Sequence, residues 1–284
     1  MRAALLQLTS SDDPGQNLAV AAEAIAEAAG EGADLVLTPE VTNCVSASRT
    51  HQEAVLAPEG DDPTLAGLRE AAARHGVWLL VGSLALKTSG PRFANRSFLV
   101  APDGAVTARY DKIHMFDVDV DAEESYRESA AFSPGERMVT AAALGTVIGM
   151  TVCYDVRFPH LYRALAQAGA EILTVPAAFS PVTGAAHWET LLRARAIETG
   201  CWVLAPAQTG RHAASRGRAR RTYGHSMAVA PWGEVVADAG AEPGVTLVEI
   251  DMTQVAEARR RVPSLSHDRP FHATEHHMPL AREA

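Results

Sequence analysis

The sequence predicts a layered α/β domain, and three observations carry that prediction. Short apolar runs such as "RAALLQL" and "ADLVLTPE" read as buried strands, amphipathic stretches between them read as helices, and turn chemistry such as Pro-Asp-Gly punctuates the later strands. The 284 residues are 47% hydrophobic, enough to bury a sizeable core.

Taken in order, "RAALLQL" is the first strand and "DPGQNLAVAAEAIAEAAGEG" the first helix, with Asp13 as N-cap, Pro14 at the first helical position and Gly30 at its end. Leu18, Ala21, Ala22, Ile25, Ala26 and Ala29 give that helix one apolar stripe. "ADLVLTPE" is a second strand that runs out at Glu40. A helix over about 63 to 75 leads to the strand "GVWLLVGSLAL", and "RSFLVAPDGAVTARYDK" folds as two strands around its Pro-Asp-Gly turn. The second half mixes the same parts: strand "GTVIGMTV", a helix from about Pro159 to Ala168, strand "EILTVP", a helix from about Ala185 to Glu198, and strand "CWVLAP". Strands "YGHSMAVA" and "EVVADAG" flank Pro231, Trp232 and Gly233, and "VTLVEI" precedes a last short helix. No composition break marks a linker, so residues 1–284 read as a single domain, with a Pro- and His-rich extended tail from about 263.

Charge and cysteine usage narrow the function. Lys and Arg total 25 against 34 Asp and Glu, and a net charge of −9 argues against a nucleic-acid or anionic-membrane surface. The opening "MRAALLQLTSSDD" lacks the pattern of a secretory signal, and no run approaches the ~18 apolar residues of a membrane span. Cys44, Cys153 and Cys201 form neither an even framework nor a CxxC pair, which points to a reducing cytoplasm. The loop "GRHAASRGRARR" holds five arginines between 211 and 221 without interleaved aromatics; it reads as a solvated loop or as a gate for anionic substrates, not a nucleic-acid surface. His272 and His276 lie four apart with no Cys or acidic ligand set around them, so no metal and no cofactor is expected.

Three reactive side chains terminate strands: Glu40 after "LVLTP", Lys112 after "VTARYD" and Cys153 after "TVIGMTV". Ligands gather at strand ends in α/β folds. Singly, each has a plain reading, as a helix-start carboxylate, a solvated loop charge and a small core thiol. Together they fit a chemistry. A thiol is little ionised at neutral pH, so a nucleophilic Cys needs a base or a cation, and Glu40 and Lys112 supply one each. Lys112 and the backbone N–H of Tyr154, the residue after the nucleophile, suit an oxyanion. Arg157, four residues past Cys153, is either a clamp for a substrate carboxylate or a partner of Asp155. Phe179 and Thr183 follow the next strand and face the same end; Glu189 reads as a local helix partner, and Cys44 and Cys201 as packed thiols.

"LTPE" with Glu40, "YDKIHMFDVDV" with Lys112 and "VCYDVRFP" with Cys153, in this order, resemble the Glu-Lys-Cys signature of the nitrilase superfamily of carbon-nitrogen hydrolases. The likeness runs from "RAALLQL" through "RARAIETGCWVLAPAQTGRH" and "YGHSMAVAPWGEVVAD" to "VPSLSHDRP". It implies a four-layer α-β-β-α sandwich, a thioester mechanism, and association into a homodimer or higher homo-oligomer through the layer carrying the nucleophile. It also implies that Glu128, in "YRESAAFSPGE", holds Lys112 and helps position the amide. Tyr154 and Asp155 after the nucleophile resemble the amidases rather than the nitrile hydrolases, and "CYDVRFP", "HWETLLRARAIE" and "YGHSMAVAPWG" are most similar to the omega-amidase and deaminated glutathione amidase branch. The implied substrate is a small-molecule omega-amide beside a free carboxylate. The rival readings are an N-carbamoyl amidohydrolase and a catalytically silent metabolite-binding member.

Overall fold

Asp13 caps the first helix, its carboxylate accepting from the N–H groups of Gly15 and Gln16, and Pro14 opens the helix where no N–H is needed. The computed structural model describes residues 1–120 and 125–272. The first half contains β1 (Arg2–Gln7), α1 (Pro14–Gly30), β2 (Leu35–Leu37), α2 (Arg49–Val55), α3 (Pro63–His75), β3 (Trp78–Leu86), β4 (Ala94–Val100) and β5 (Val106–Asp111). A small hairpin of β6 (Asp117–Asp119) and β7 (Ser125–Arg127) follows. Then come β8 (Val139–Ala143), β9 (Thr146–Met150), α4 (Pro159–Gln167), β10 (Ile172–Thr174), α5 (Pro181–Thr199) and β11 (Trp202–Ala205). The chain ends with β12 (Thr209–Arg211), β13 (Arg221–Tyr223), β14 (Met227–Val229), β15 (Val235–Asp238), β16 (Gly244–Glu249) and α6 (Thr253–Arg261).

Two six-stranded sheets result, ordered β16-β1-β2-β3-β4-β5 and β15-β14-β11-β10-β9-β8. The central trios β1-β2-β3 and β9-β10-β11 are parallel, and antiparallel strands extend both edges. Alternation along each strand sorts side chains into layers. Ala4, Leu6, Val36, Leu79 and Val81 pack with Ala21, Ile25, Leu68 and Ala72 of α1 and α3. Ala3, Leu5, Leu37 and Leu80 instead join a core with Met150, Leu173 and Leu204 of the second sheet, and that core continues to Leu165 and Leu192 of α4 and α5. The architecture is therefore the expected four-layer α-β-β-α sandwich.

Several elements differ from the sequence reading. Helix α5 starts at Pro181, not near Ala185, because Ser180 is extended at the N-cap and proline suits the first helical position. "YGHSMAVA" is not one strand: Gly224 and His225 take φ of 79° and 57°, breaking it into the ends of β13 and β14. The seven-residue α2, the strand β8 and the two hairpins carry too little apolar periodicity to be read in advance. The stretch after 263 is not wholly extended. Ser264–Ser266 form a 3-10 turn held to α4, with Arg163 Nη2 donating to Ser264 O at 2.7 Å and Gln167 Nε2 to Leu265 O at 3.0 Å. His276 lies outside the described residues.

Candidate active site

Glu40 leaves the end of β2 through a crowded passage. A Cβ at Gly82 would sit 1.7 Å from Thr38 O, so only glycine lets β3 pass this close. The next residue, Val41, adopts φ 46° and donates its N–H to Ser83 Oγ at 2.8 Å. Lys112 follows β5, its N–H bound to Asn95 O at 3.0 Å and its carbonyl to Gly135 N–H at 2.8 Å. Gly135 is likewise required, since a Cβ there would stand 2.2 Å from Asp111 O. Cys153 opens a 3-10 turn, Cys153–Arg157, with φ 49° and its N–H on Pro176 O at 2.9 Å. A left-handed non-glycine residue costs about 1–3 kcal/mol and persists only where surroundings hold it.

Asp155 supplies that hold. It is fully buried, and its carboxylate accepts from Tyr110 Oη at 2.6 Å, Val152 N–H at 2.9 Å, His114 N–H at 3.0 Å and His114 Nδ1 at 2.7 Å. One side chain thus ties the turn bearing Cys153 to the strand end bearing Lys112. From α5, buried Arg195 adds a bond from Nε to Val156 O at 2.8 Å.

The three strand-end groups converge. Lys112 Nζ lies 2.9 Å from Glu40 Oε1 and 2.9 and 2.8 Å from the two oxygens of Glu128. Asn95 Nδ2 donates to Glu40 Oε1 at 2.9 Å, and Ala178 N–H to Glu40 Oε2 at 2.9 Å. Phe116 N–H donates to Glu128 Oε2 at 2.7 Å. The Cys153 thiol stands near enough to the Glu40 carboxylate and the Lys112 ammonium to feel both charges. Burial alone would raise the Glu40 pKa, but the charges of Lys112 and Arg220 hold it below the usual carboxylate range. Burial works against the Lys112 ammonium, yet Glu128 and Glu40 keep it charged. Burial and the Glu40 charge push the Cys153 thiol well above its ordinary value, despite Lys112. At neutral pH the resting set is a carboxylate, an ammonium and a neutral thiol, so the thiol proton has a waiting acceptor.

Glu40, Asn95, Lys112, Glu128 and Cys153 line a cavity of about 310 Å³. Tyr154, Phe179 and Thr183 also line it. Arg157 does not: its guanidinium lies 5.4 Å from the Phe179 ring centre, 5.9 Å from that of Tyr154, and 3.3 Å from His187 Nδ1. The expectation that it follows Cys153 on one face assumed α-helical spacing. In a 3-10 turn of about three residues, the fourth residue is rotated roughly a third of a turn away. Arg157 does not hold Asp155 either, whose partners are Tyr110, His114 and Val152.

Arg220, read in the sequence only as part of the arginine-rich loop, lines the cavity, with Nη2 on Ala178 O at 2.8 Å and its guanidinium 5.7 Å from the Tyr126 ring centre. Arg220 Nε, Ser180 Oγ and Thr183 Oγ1 are buried and without a hydrogen-bond partner among the described residues. Arg49 and Arg127 line the cavity too, but salt bridges engage them with Glu53 and Asp119. Glu189 pairs with Arg193 at 3.2 Å along α5. Cys44 and Cys201 are buried; burial pushes the Cys44 thiol up to about 12 and the Cys201 thiol above its ordinary value. Asn95 went unread in the sequence because an asparagine early in a strand resembles any outward polar position. Among the described residues, no helix is long and apolar enough to cross a membrane.

A four-layer sandwich whose strand ends gather a carboxylate, an ammonium and a thiol defines the nitrilase class of fold and site. Residues 2–260 match the carbon-nitrogen hydrolase family model, and the chain belongs to that family. It is a hydrolase acting on carbon-nitrogen bonds other than peptide bonds. Over 273 residues it is 45% identical to a protein of Yersinia enterocolitica named deaminated glutathione amidase, an alignment covering 94% of this chain and 92% of the relative. Among solved structures, the NitFhit protein of Caenorhabditis elegans superposes with a TM-score of 0.86 at 35% identity, covering 94% of this chain and 65% of that longer one. Nit3 of Saccharomyces cerevisiae, described as a member of branch 10 of the nitrilase superfamily, gives a TM-score of 0.81 at 29% identity, covering 93% of this chain and 94% of Nit3.

Proposed function

We propose that the chain is a cysteine-dependent amidase that cleaves the omega-amide of a carboxylate-bearing metabolite, deaminated glutathione or a 2-oxo acid omega-amide, through a thioester on Cys153. The observation that carries the chemistry is the convergence of a buried Cys153 thiol with Glu40 and Lys112, whose side chains lie 2.9 Å apart. Glu40 takes the thiol proton as Sγ attacks the amide carbon. The carbonyl oxygen becomes an oxyanion facing Lys112 Nζ and the N–H of Tyr154. Neutralising Glu40 weakens its hold on Nζ at the moment the oxyanion needs that donor. Glu40 then protonates the departing nitrogen, the C–N bond breaks, and an amine or ammonia leaves. Water, deprotonated by Glu40, opens the thioester and releases the acid, returning the proton to Cys153. Glu128 keeps Lys112 charged and in place.

Two lines support the substrate class. The relatives at 40–45% identity bear the name deaminated glutathione amidase. Glutathione stripped of its amino group keeps two carboxylates, and the cavity is lined by Arg220, whose charge reaches Glu40, together with Ser180 and Thr183. Phe179 shapes the wall, and Arg157 acts from outside by packing against Phe179 and Tyr154. Residues 1–284 work as one catalytic domain. Val182, Ile197, Trp232, Val235 and Val236 stay exposed around α5 and β15, which supports a homodimer or larger homo-oligomer built through that layer. Three buried thiols without disulfides support work in the cytoplasm.

The test is a panel assay of ammonia or amine release from a dicarboxylic mono-amide, a neutral aliphatic amide of equal length and a carbamoyl amino acid. Wild type should favour the mono-amide, and Arg220→Met should erase that preference while Arg157→Met lowers all rates together. A wild type preferring the neutral amide contradicts carboxylate recognition; one preferring the carbamoyl compound contradicts the omega-amide reading.

A further inference from the structure

Glu40 and Arg220 are joined through one residue. Ala178, which lines the cavity beyond β10, donates its N–H to Glu40 Oε2 at 2.9 Å and accepts Arg220 Nη2 on its carbonyl at 2.8 Å. The base and the cation therefore stand on either side of a single backbone residue. Arg220 is half-buried, and its guanidinium lies 5.7 Å from the ring centre of Tyr126, another residue of the cavity wall.

Two cations act on Glu40, and they differ in how far their charge is spent. Lys112 touches Glu40 at 2.9 Å, but Glu128 holds the same Nζ with both its oxygens. Arg49 and Arg127, also in the wall, are engaged by Glu53 and Asp119. The partners of Arg220 are a carbonyl oxygen and an aromatic ring, and no carboxylate among the described residues forms a salt bridge with it. Its charge is left for an anion that enters the cavity. Burial raises the Glu40 pKa, while the charges of Lys112 and then Arg220 pull it below the usual carboxylate range. An anion seated on Arg220 cancels the second of those pulls.

We infer that Arg220 couples recognition to catalysis: a substrate carboxylate paired with its guanidinium makes Glu40 a stronger base in the complex than in the free enzyme. The inference rests on the reading of Arg220 as the residue that meets the substrate carboxylate. A carboxylate held too acidic is a poor acceptor for a thiol proton. With the substrate anion in place, the proton of Cys153 passes more readily to Glu40, and from there to the departing nitrogen. A neutral amide leaves Arg220 charged and Glu40 weak, so it is disfavoured in rate as well as in binding.

The experiment follows kcat from about pH 4 to 8 at saturating dicarboxylic mono-amide and at saturating neutral aliphatic amide of equal length, because kcat reports the groups of the complex. In wild type the acid-side fall should come about one pH unit higher with the mono-amide than with the neutral amide. In Arg220→Met the two falls should coincide, and Arg220→Lys, which keeps the charge, should keep a gap. The other titratable groups facing this pair, Lys112, Cys153 and Glu128 around Glu40 and His212 beside Arg220, are common to both substrates and cancel in the comparison. Wild-type falls within about 0.3 pH unit of each other overturn the inference; Arg220 then binds the carboxylate without tuning Glu40, and the reading of the substrate class stands. A gap that persists in Arg220→Met also overturns it, since the gap then belongs to the carboxyl group of the substrate itself. If Arg220→Met keeps the wild-type preference for the mono-amide, Arg220 does not read the carboxylate, and both fall together.

Discussion

Asp155→Asn is the change whose cost follows most directly from geometry. Asp155 is fully buried, and its two oxygens receive four donors, Tyr110 Oη and Val152 N–H on Oδ2, and His114 N–H and Nδ1 on Oδ1. Asparagine keeps the shape but replaces one oxygen with a donor. With its nitrogen at the Oδ2 position, the Tyr110 hydroxyl can turn and accept, but the N–H of Val152 cannot. With its nitrogen at the Oδ1 position, the backbone N–H of His114 is the donor left facing another. Either way one buried backbone donor loses a charge-assisted bond, at a cost of about 3 kcal/mol. No solvent reaches the site to soften it. For a chain of this size that lowers Tm by roughly 5 °C. Because Val152 N–H directly precedes Cys153, the left-handed turn should relax and the amidase rate should fall along with stability. Thermal unfolding and amide turnover of wild type and variant decide it. Unchanged Tm together with unchanged turnover would show that the Asp155 clamp does not hold the nucleophile turn.

Three further outcomes follow from the site and its surroundings. Glu40→Gln should slow the chemical step by at least ~100-fold, and Lys112→Met should cost about 3 kcal/mol of transition-state stabilisation; near-normal single-turnover rates in either would dissolve the assigned roles. Because the Glu40 pKa is held low and the Cys153 pKa pushed high, the reactive pair of carboxylate and thiol spans neutral pH, and kcat/KM should be flat from about pH 5.5 to 8.5, whereas a bell centred near pH 7 would contradict that ionisation. His212, at the base of the arginine-rich loop, is bonded to Ser10 O and Thr222 Oγ1, and burial pulls its pKa down to about 4, with Arg220 adding to the fall. The unfolded chain then binds the extra proton first, so the stability carried by neutral His212 is whole above about pH 6.5 and drains by about 3 kcal/mol as pH falls toward 4. Urea titrations at pH 7 and 4.5 should show a smaller difference in His212→Gln than in wild type; equal differences would contradict the shift.

The layered α/β class was legible because strand and helix periods are carried by buried apolar residues, as in "ADLVLTPE" and α1, whose layers the structure keeps. The candidate site was legible in part. Glu40, Lys112 and Cys153 stand out because each ends an apolar run, but their convergence, with Glu40 and Lys112 72 residues apart, rests on sheet stacking that spacing does not encode, and only the likeness of motifs suggested it. Asn95 and Arg220 stayed hidden for a different reason. Each acts through a partner distant in sequence, Asn95 through Glu40 and Arg220 through Ala178, so neither has a local signature. Arg157 was misplaced because four residues make one face in an α-helix but not in the 3-10 turn that forms.

The central claim is that Cys153 carries the acyl group as a thioester while Glu40 manages its proton. Rapid mixing with a carboxylate-bearing omega-amide, acid quench within the first turnover, and intact-mass and peptide analysis measure this directly. The account predicts a mass gain equal to the acyl part of the substrate, located on Cys153, and neither adduct nor turnover in Cys153→Ala although that variant stays folded. Turnover by Cys153→Ala, or an acyl group on Cys44 or Cys201 in its place, would contradict it.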